Sequence, residues 1–510
     1  MANDVRAAVA RQTLLDDERQ LERMGYKRSL LRTMSGFDNF AISFTIISIL
    51  TGCMTMLSYG LNTGGPAEII WGWVLVGGMT TVVGLAMAEL ASAYPTTGAL
   101  YYWSAKLAKR HSAAWSWYTG WLNVAGQVGG TAGIDYGLAV FLQALIGSQW
   151  NYTATPDRTI LIYAAVLLAH GLLNSFAVNV VAILNRVSVY WHVLGVLLIV
   201  GFLWIKPSHH QSVGFVLTKT FNGTGFTHFW YVAAIGLLVG GYTFCGFDAS
   251  AHVSEETVGA ARSAPRGIIR SILVSLIAGL VLLVGFMLAL QHYASESSAS
   301  VPPLQIMLDA LGPSVAKLLM IVIIVAQFFC GMSSVTANSR LIFALSRDDV
   351  LPGSRLWFAT TRKTKTPIGA VWLAVVVAFI LALPALWSTT AFFAITSVNV
   401  IGLFTAYAIP IFLRLRARDD FKPGPFHLGK YSRTINRVAI GWIVFETILF
   451  VSPEAAPVTW HNLNYAGIAV GVVLVIATVW WWVSARRTYT GPKSFVSPEE
   501  LAALETGEVV

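Results

Sequence analysis

Charge is what this sequence has least of. Asp, Glu, Lys and Arg make up 12% of its 510 residues, about half the share found in soluble domains, which excludes a water-soluble globule. Cysteine is scarce too. Cys53, Cys245 and Cys330 are an odd, sparse set, which excludes a disulfide-stapled secreted scaffold. No G-x-x-x-x-G-K-[S/T] loop occurs, so ATP is not the expected energy source. Metal-ligand spacings and nucleophile–base arrangements are likewise missing, and neither a metal site nor enzyme chemistry is expected. Residues 1–32 are polar, without the apolar core of a signal peptide. What is abundant is apolar side chain, 55% of the sequence, which excludes disorder. The chain reads as a polytopic protein of the lipid bilayer.

A membrane helix needs about 20 mostly apolar residues. Uncharged runs cover residues 39–67, 69–88, 111–134, 159–185, 187–205, 220–247, 271–295 and 318–339. Residues 366–413 hold two helices with a turn near residues 384–388, and residues 438–451 (with Glu446) and 455–485 complete 12 spans. Basic residues cluster on the cytoplasmic side of membrane proteins. With both termini inside, 30 of the 34 Lys and Arg fall inside, and Arg158, Lys206, Lys219 and Lys317 stay outside. The net charge of +9 therefore orients the protein and implies no nucleic-acid partner. The expected address is the cytoplasmic membrane, multi-pass, with both termini cytoplasmic. The N-terminal segment 1–32 and the tail 488–510 are cytoplasmic in this reading, with a short surface helix near Asp16–Arg23 and a flexible tail.

Two spans carry glycine interruptions. The first reads Ile47-Ser48-Ile49-Leu50-Thr51-Gly52-Cys53-Met54 and the sixth reads Gly240-Gly241-Tyr242-Thr243-Phe244-Cys245-Gly246-Phe247-Asp248. Each opens a five-helix unit. Five is odd, so the two units enter the membrane from opposite sides. Broken helices at corresponding places in inverted units point to a transporter binding site. A half-helix N-terminus offers free N–H groups to a carboxylate, and free C=O groups suit an ammonium. Such a pair holds a zwitterion without a charged side chain. The plainer reading, glycines that let helices pack closely, weakens because the interruptions are paired.

Ala88-Glu89-Leu90-Ala91-Ser92-Ala93-Tyr94-Pro95-Thr96-Thr97-Gly98 with Tyr101-Tyr102 resembles the motif after the second helix of amino acid–polyamine–organocation (APC) permeases. Gly246-Phe247-Asp248 with Glu255-Glu256 and Ala264-Pro265-Arg266-Gly267-Ile268 resembles their helix 6 to helix 7 pattern. Ser339-Arg340-Leu341-Ile342-Phe343-Ala344-Leu345-Ser346-Arg347-Asp348 with Leu351-Pro352 resembles the exit of helix 8. Gly64-Gly65-Pro66 with Trp71-Gly72-Trp73 is similar to the amino acid/choline transporter branch, which includes permeases for 4-aminobutyrate (GABA). The resemblance implies an all-α, leucine-transporter-like fold. Its parts are inverted repeats at residues 33–205 and 220–416, then two peripheral helices in residues 436–487. It also implies substrate between the two breaks and alternating access.

The candidate substrate contacts are Ile49, Thr51, Gly52, Cys53, Gln127, Phe244, Cys245, Gly246, Phe247 and Asp248. Asp248 reads either as a substrate contact or as a structural group that caps the second half-helix or pairs within the bundle. Gln127 lies among small residues and reads as cavity-facing or as packing glue. Phe244 and Phe247 read as a lid or as packing. Related permeases can carry a lysine on helix 5 in place of sodium; this sequence has His192, which reads as a proton carrier or as a bonded member of the bundle. Ser333 and Ser334 offer hard oxygens for sodium or bond back to their own turn. Glu89, Glu255 and Arg340, with Glu256, form a candidate inner gate. His170 reads as structural, and Glu446 as a packing or oligomer contact. No cofactor is expected beyond a coupling proton or sodium ion. The expected function is secondary transport of an amino acid or amino-acid-like amine, GABA favoured, with choline, a polyamine, or a non-translocating sensor as alternatives.

Overall fold

A computed structural model describes residues 2–500 apart from 151, 177, 389, 461 and 498. Among these, 11 helices are long and apolar enough to cross a membrane: Gly36–Thr55, Gly65–Ala93, Ser112–Gly147, Pro156–Phe176, Asn179–Ile205, Ala260–Ala289, Pro313–Arg347, Ile368–Leu386, Ala391–Ala417, Gly429–Val451 and Ala466–Thr488. A shorter apolar helix, Phe229–Thr243, supplies the sixth position. Numbered in chain order with it included, they are spans 1–12. All share one bundle, and a single antiparallel strand pair, Thr63–Gly64 against Phe221–Asn222, ties the start of span 2 to the approach to span 6.

The centre of the bundle is built from small residues. On span 3, a Cβ at Gly126 would lie 2.5 Å from the Leu403 nitrogen of span 10, and one at Gly402 would lie 2.6 Å from the Gly126 nitrogen. Only glycine on both sides permits this crossing, the usual device of membrane bundles. Of the most apolar window of each span, 83% is buried in span 1 and 17% in span 12. Span 1 is thus central, and span 12 faces outward to where lipid belongs.

Several boundaries differ from the sequence expectation. Spans 4 and 5 divide between Phe176 and Val178, not at Arg186. A charge need not end a helix. Arg186 lies within span 5, half exposed, and pairs with Asp38, as a long basic side chain near an interface can. Spans 7 and 8 extend past their apolar runs into the basic ends at Arg262 and Arg347. Span 6 begins at Phe229, because residues 221–222 are spent in the strand pair.

The terminal segments depart further. The N-terminal helix spans Ala2–Arg23, longer than expected. The tail, expected to be flexible, is docked where described. The Phe495 N–H donates to the Gly25 carbonyl at 2.6 Å, and the Lys493 N–H donates to Asp348 at 3.0 Å. Residues 501–510 lie outside the described residues.

Candidate functional site

Span 1 starts and stops for local reasons. Ser35 and Asp38 form a reciprocal capping box at its N-terminus, which satisfies two otherwise orphaned N–H groups. The helix ends at Ile47, where Ser48 turns left-handed with φ 44°. Residues 49–51 are unwound, and helix resumes at Gly52. Span 6 stops at Thr243 and resumes at Ala249. Between them Gly246 takes φ +84°, a conformation that side chains resist. Both interruptions are therefore real breaks. They also touch, since a Cβ on Gly52 would stand 2.6 Å from the Thr243 methyl carbon. Among the described residues, the N–H groups of Cys245 and Phe247 have no hydrogen bond, while those of Cys53 and Met54 lie against the Cys53 sulfur and that of Gly246 against the Tyr407 hydroxyl.

A central cavity of about 30 Å³ lies between the breaks. That holds a water or two and not an amino acid. Its wall comes from Thr51, Gly52 and Thr55 of span 1, Gln127, Gly130 and Ile134 of span 3, and Tyr242, Thr243, Cys245 and Gly246 of span 6. Spans 8 and 10 add Gln327, Cys330, Ser334, Asn399 and Leu403. Of the residues singled out from sequence, Thr51, Gly52, Gln127, Cys245, Gly246 and Ser334 reach this wall.

The others are elsewhere. The Cys53 thiol donates to the Ile49 carbonyl at 2.9 Å, which turns both residues into the break itself. Phe244 packs on Trp73 with centroids 4.4 Å apart, and Phe247 on Tyr407 at 5.1 Å. Both are fully buried wedges rather than lids. Asp248 stands one layer behind the wall. It accepts from the Gln127 amide at 3.0 Å and faces His252 Nε2 at 3.2 Å. It makes no cap bond to the half-helix that follows it, and its contacts are those of the structural pairing reading. Asp248 orients Gln127, and Gln127 faces the cavity.

His192 is fully engaged. Its Nδ1–H donates to the Ser188 carbonyl at 2.8 Å, so Nε2 accepts from the Ser48 hydroxyl at 2.7 Å. Thr51 donates in turn to Ser48 at 2.7 Å. The imidazole thus braces the unwound turn of span 1. Ser333 faces Asn185 and the Phe329 carbonyl, away from the cavity, while Ser334 pairs with Thr131 at 2.8 Å. Cys330, not a serine, meets a span 1 carbonyl, that of Ile46 at 3.1 Å. His170 pairs with Asp135 at 3.1 Å, both fully buried.

The end carrying the termini is sealed, with pairings that match the expected gate at Arg340 and differ at Glu255 and Glu89. Arg340 pairs with Glu256 at 2.8 Å. Glu255 pairs instead with Arg347, through two bonds of 2.9 and 3.0 Å. Glu89 takes Arg414 at 3.2 Å and the Ser432 hydroxyl at 2.6 Å, which fastens span 2 to spans 10 and 11. Sequence spacing identified the acids and Arg340 but not Arg347 and Arg414, which fall inside helices drawn too short. Above this layer, the Tyr26 ring lies 3.6 Å from the Arg347 guanidinium. Its hydroxyl donates to Asp348 at 2.8 Å. Burial pushes the Asp348 carboxyl up, against the pull of the neighbouring Arg347 charge.

The opposite end is hollow. A vestibule of about 550 Å³, lined by Thr55, Ser58, Tyr136, Phe141, Pro302 and Phe393 among others, shares Thr55 with the central cavity. A neighbouring recess of about 310 Å³ holds Tyr59, Asn62, Glu454 and Asn464. The arrangement is therefore open toward one face, closed at the other, with a small polar chamber between two broken helices. The wall residues missed from sequence share a signal. Gln327 and Cys330 lie three residues apart on span 8, in line with the predicted Ser334 four further on, and Asn399 and Leu403 lie four apart on span 10. This is one helical face in each case.

An amino acid permease family model matches residues 34–483. The chain belongs to the amino acid permease family. As an APC permease it is a multi-pass membrane protein. It is 41% identical over 495 residues to Amino-acid permease BAT1 of Arabidopsis thaliana, covering 93% of this chain and 96% of that one. A rice protein, Amino-acid permease BAT1 homolog of Oryza sativa subsp. japonica, is 38% identical over 93% of this chain and 95% of its own. The GABA-specific permease of Saccharomyces cerevisiae is 30% identical over 97% of this chain and 89% of its own. Proteins so named are transporters, not enzymes, and the permease shares nearly their full length.

Proposed function

We propose that this permease is a secondary transporter that carries an amino acid or amino-acid-like amine, with its two five-helix repeats (residues 33–205 and 220–416) moving around a site between the breaks of spans 1 and 6. The observation that carries this reading is the polar chamber bounded by both unwound segments, with the Cys245 and Phe247 N–H groups unengaged at the span 6 break. A carboxylate suits those N–H groups. An amine suits the Gln127, Gln327 and Asn399 amide oxygens and the Tyr242 hydroxyl on the wall. GABA is the favoured substrate through the yeast relative's name. Tyr242 is the one aromatic on the wall, which speaks against a cation–π cage for choline.

With the termini cytoplasmic, the vestibule faces outside and the Glu255–Arg347 and Glu256–Arg340 pairs close the inside. The chamber must widen to admit substrate, and the inner pairs must part to release it. Uptake is coupled to a proton or sodium ion gradient, or runs as exchange. The test is uptake of a radiolabelled amino acid panel, GABA included, into proteoliposomes. Accumulation or exchange of at least one panel member supports transport. Saturable binding without either contradicts it and favours a sensor.

A further inference from the structure

Glu446, read from sequence as a packing or oligomer contact, is a buried contact with span 6. It is 2% exposed, on a span whose neighbours Val444 and Ile448 are 51% and 57% exposed. The carboxyl therefore points inward, on the face of span 11 that also buries Trp442, Ile443 and Leu449. Among the described residues, neither of its oxygens has a hydrogen-bond partner. The Trp442 indole, one turn earlier, is close by without a bond of ordinary geometry. What the carboxyl meets is Gly241 of span 6, where any side chain would collide with its oxygen and with the Phe450 ring.

An unpaired carboxylate in an apolar interior costs several kcal/mol, and ionisable groups within a bilayer are functional candidates by default. Among the described residues no cation pairs with it, so the seat against Gly241 suits the neutral acid. The other titratable group facing it is the Cys245 thiol of span 6. That thiol donates to the Gly241 carbonyl at 3.2 Å, and Cys245 itself lines the central cavity. Span 11 carries no other titratable side chain beyond Arg437 and before its outer end. Glu446 thus touches span 6 one turn before its break, about 8 Å below the outer end of span 11.

We propose that Glu446 is a proton-binding site that couples a proton to the movement of span 6. The protonated acid keeps span 6 seated. Loss of the proton creates a charge that must reach water, which favours the arrangement in which the Gly241 contact opens. The proposal rests on the transporter reading above.

The test uses full-length protein in proteoliposomes, native and Glu446→Gln, with radiolabelled GABA plus the amino acid panel as probes. The glutamine keeps the shape and cannot ionise. Exchange at symmetric pH is expected to survive in Glu446→Gln, while stimulation by an imposed proton gradient, about fivefold or more in native protein, is lost. Glu446→Asp, which can ionise, is expected to regain part of it. A Glu446→Gln protein that responds to the gradient like native overturns the inference. So does a native protein that exchanges substrate but ignores the gradient, and in that case transport itself stands. A native protein that neither exchanges nor accumulates any probe overturns the transporter reading beneath it.

Discussion

Glu454 faces the outer recess from the turn between spans 11 and 12, where burial pushes its carboxyl up to about 7 from an ordinary 4.5. The folded state therefore favours the protonated acid. Stability from this group is full below about pH 4.5 and is lost as pH rises toward 7. Native protein should melt at a lower temperature at pH 8 than at pH 5, and Glu454→Gln should narrow that difference; an unchanged difference counts against the assignment. Single residues were also where sequence reading was weakest. The positions of Thr51, Gly52, Gln127 and Gly246 were legible from glycine and amide placement in apolar runs. The displacement of Asp248 behind Gln127 was not, because it depends on which neighbouring helix turns toward the carboxyl. The same holds for Phe244 and Phe247, whose rings find Trp73 and Tyr407 across the bundle.

At the scale of elements, the breaks were readable and the helix lengths were not. Glycine at corresponding places in two apolar runs marked the breaks, whereas Gly126-Gln127 stands in unbroken helix. A helix end near the membrane surface carries charges, and counting only uncharged residues shortens it. That error hid Arg347 and with it the true partner of Glu255. Breaking a buried pair by removing one member costs about 3–5 kcal/mol, so Arg347→Ala should loosen the sealed end. A membrane-impermeant maleimide applied from the terminal side should then modify Cys245 faster than in native protein. Equal rates would mean the pair does not help to close that end. The span 3–span 10 crossing predicts a different outcome. Gly126→Leu places a side chain against the span 10 backbone, and should abolish folding rather than shift its conformation, read as loss of monodisperse protein in detergent.

For the whole molecule, composition alone separated a membrane bundle from every soluble class, and the distribution of 34 basic residues supplied a direction. Cysteines placed at Lys317 and at Lys493 in a cysteine-free background should label from opposite faces: Lys317→Cys in intact cells, Lys493→Cys only after permeabilisation. The reverse pattern would invert the proposed orientation. The hollow face, the sealed terminal face and the chamber of about 30 Å³ are properties of packing, beyond reach of the sequence.

The claim joining these scales is that substrate lodges between two helix breaks that touch at Gly52 and Thr243. The most direct test is equilibrium binding of radiolabelled GABA and the amino acid panel to purified native and Gly52→Val protein. The valine drives its side chain into the Thr243 methyl across the chamber. Binding should be lost while the variant inserts and elutes as native does; unchanged affinity would place the site elsewhere.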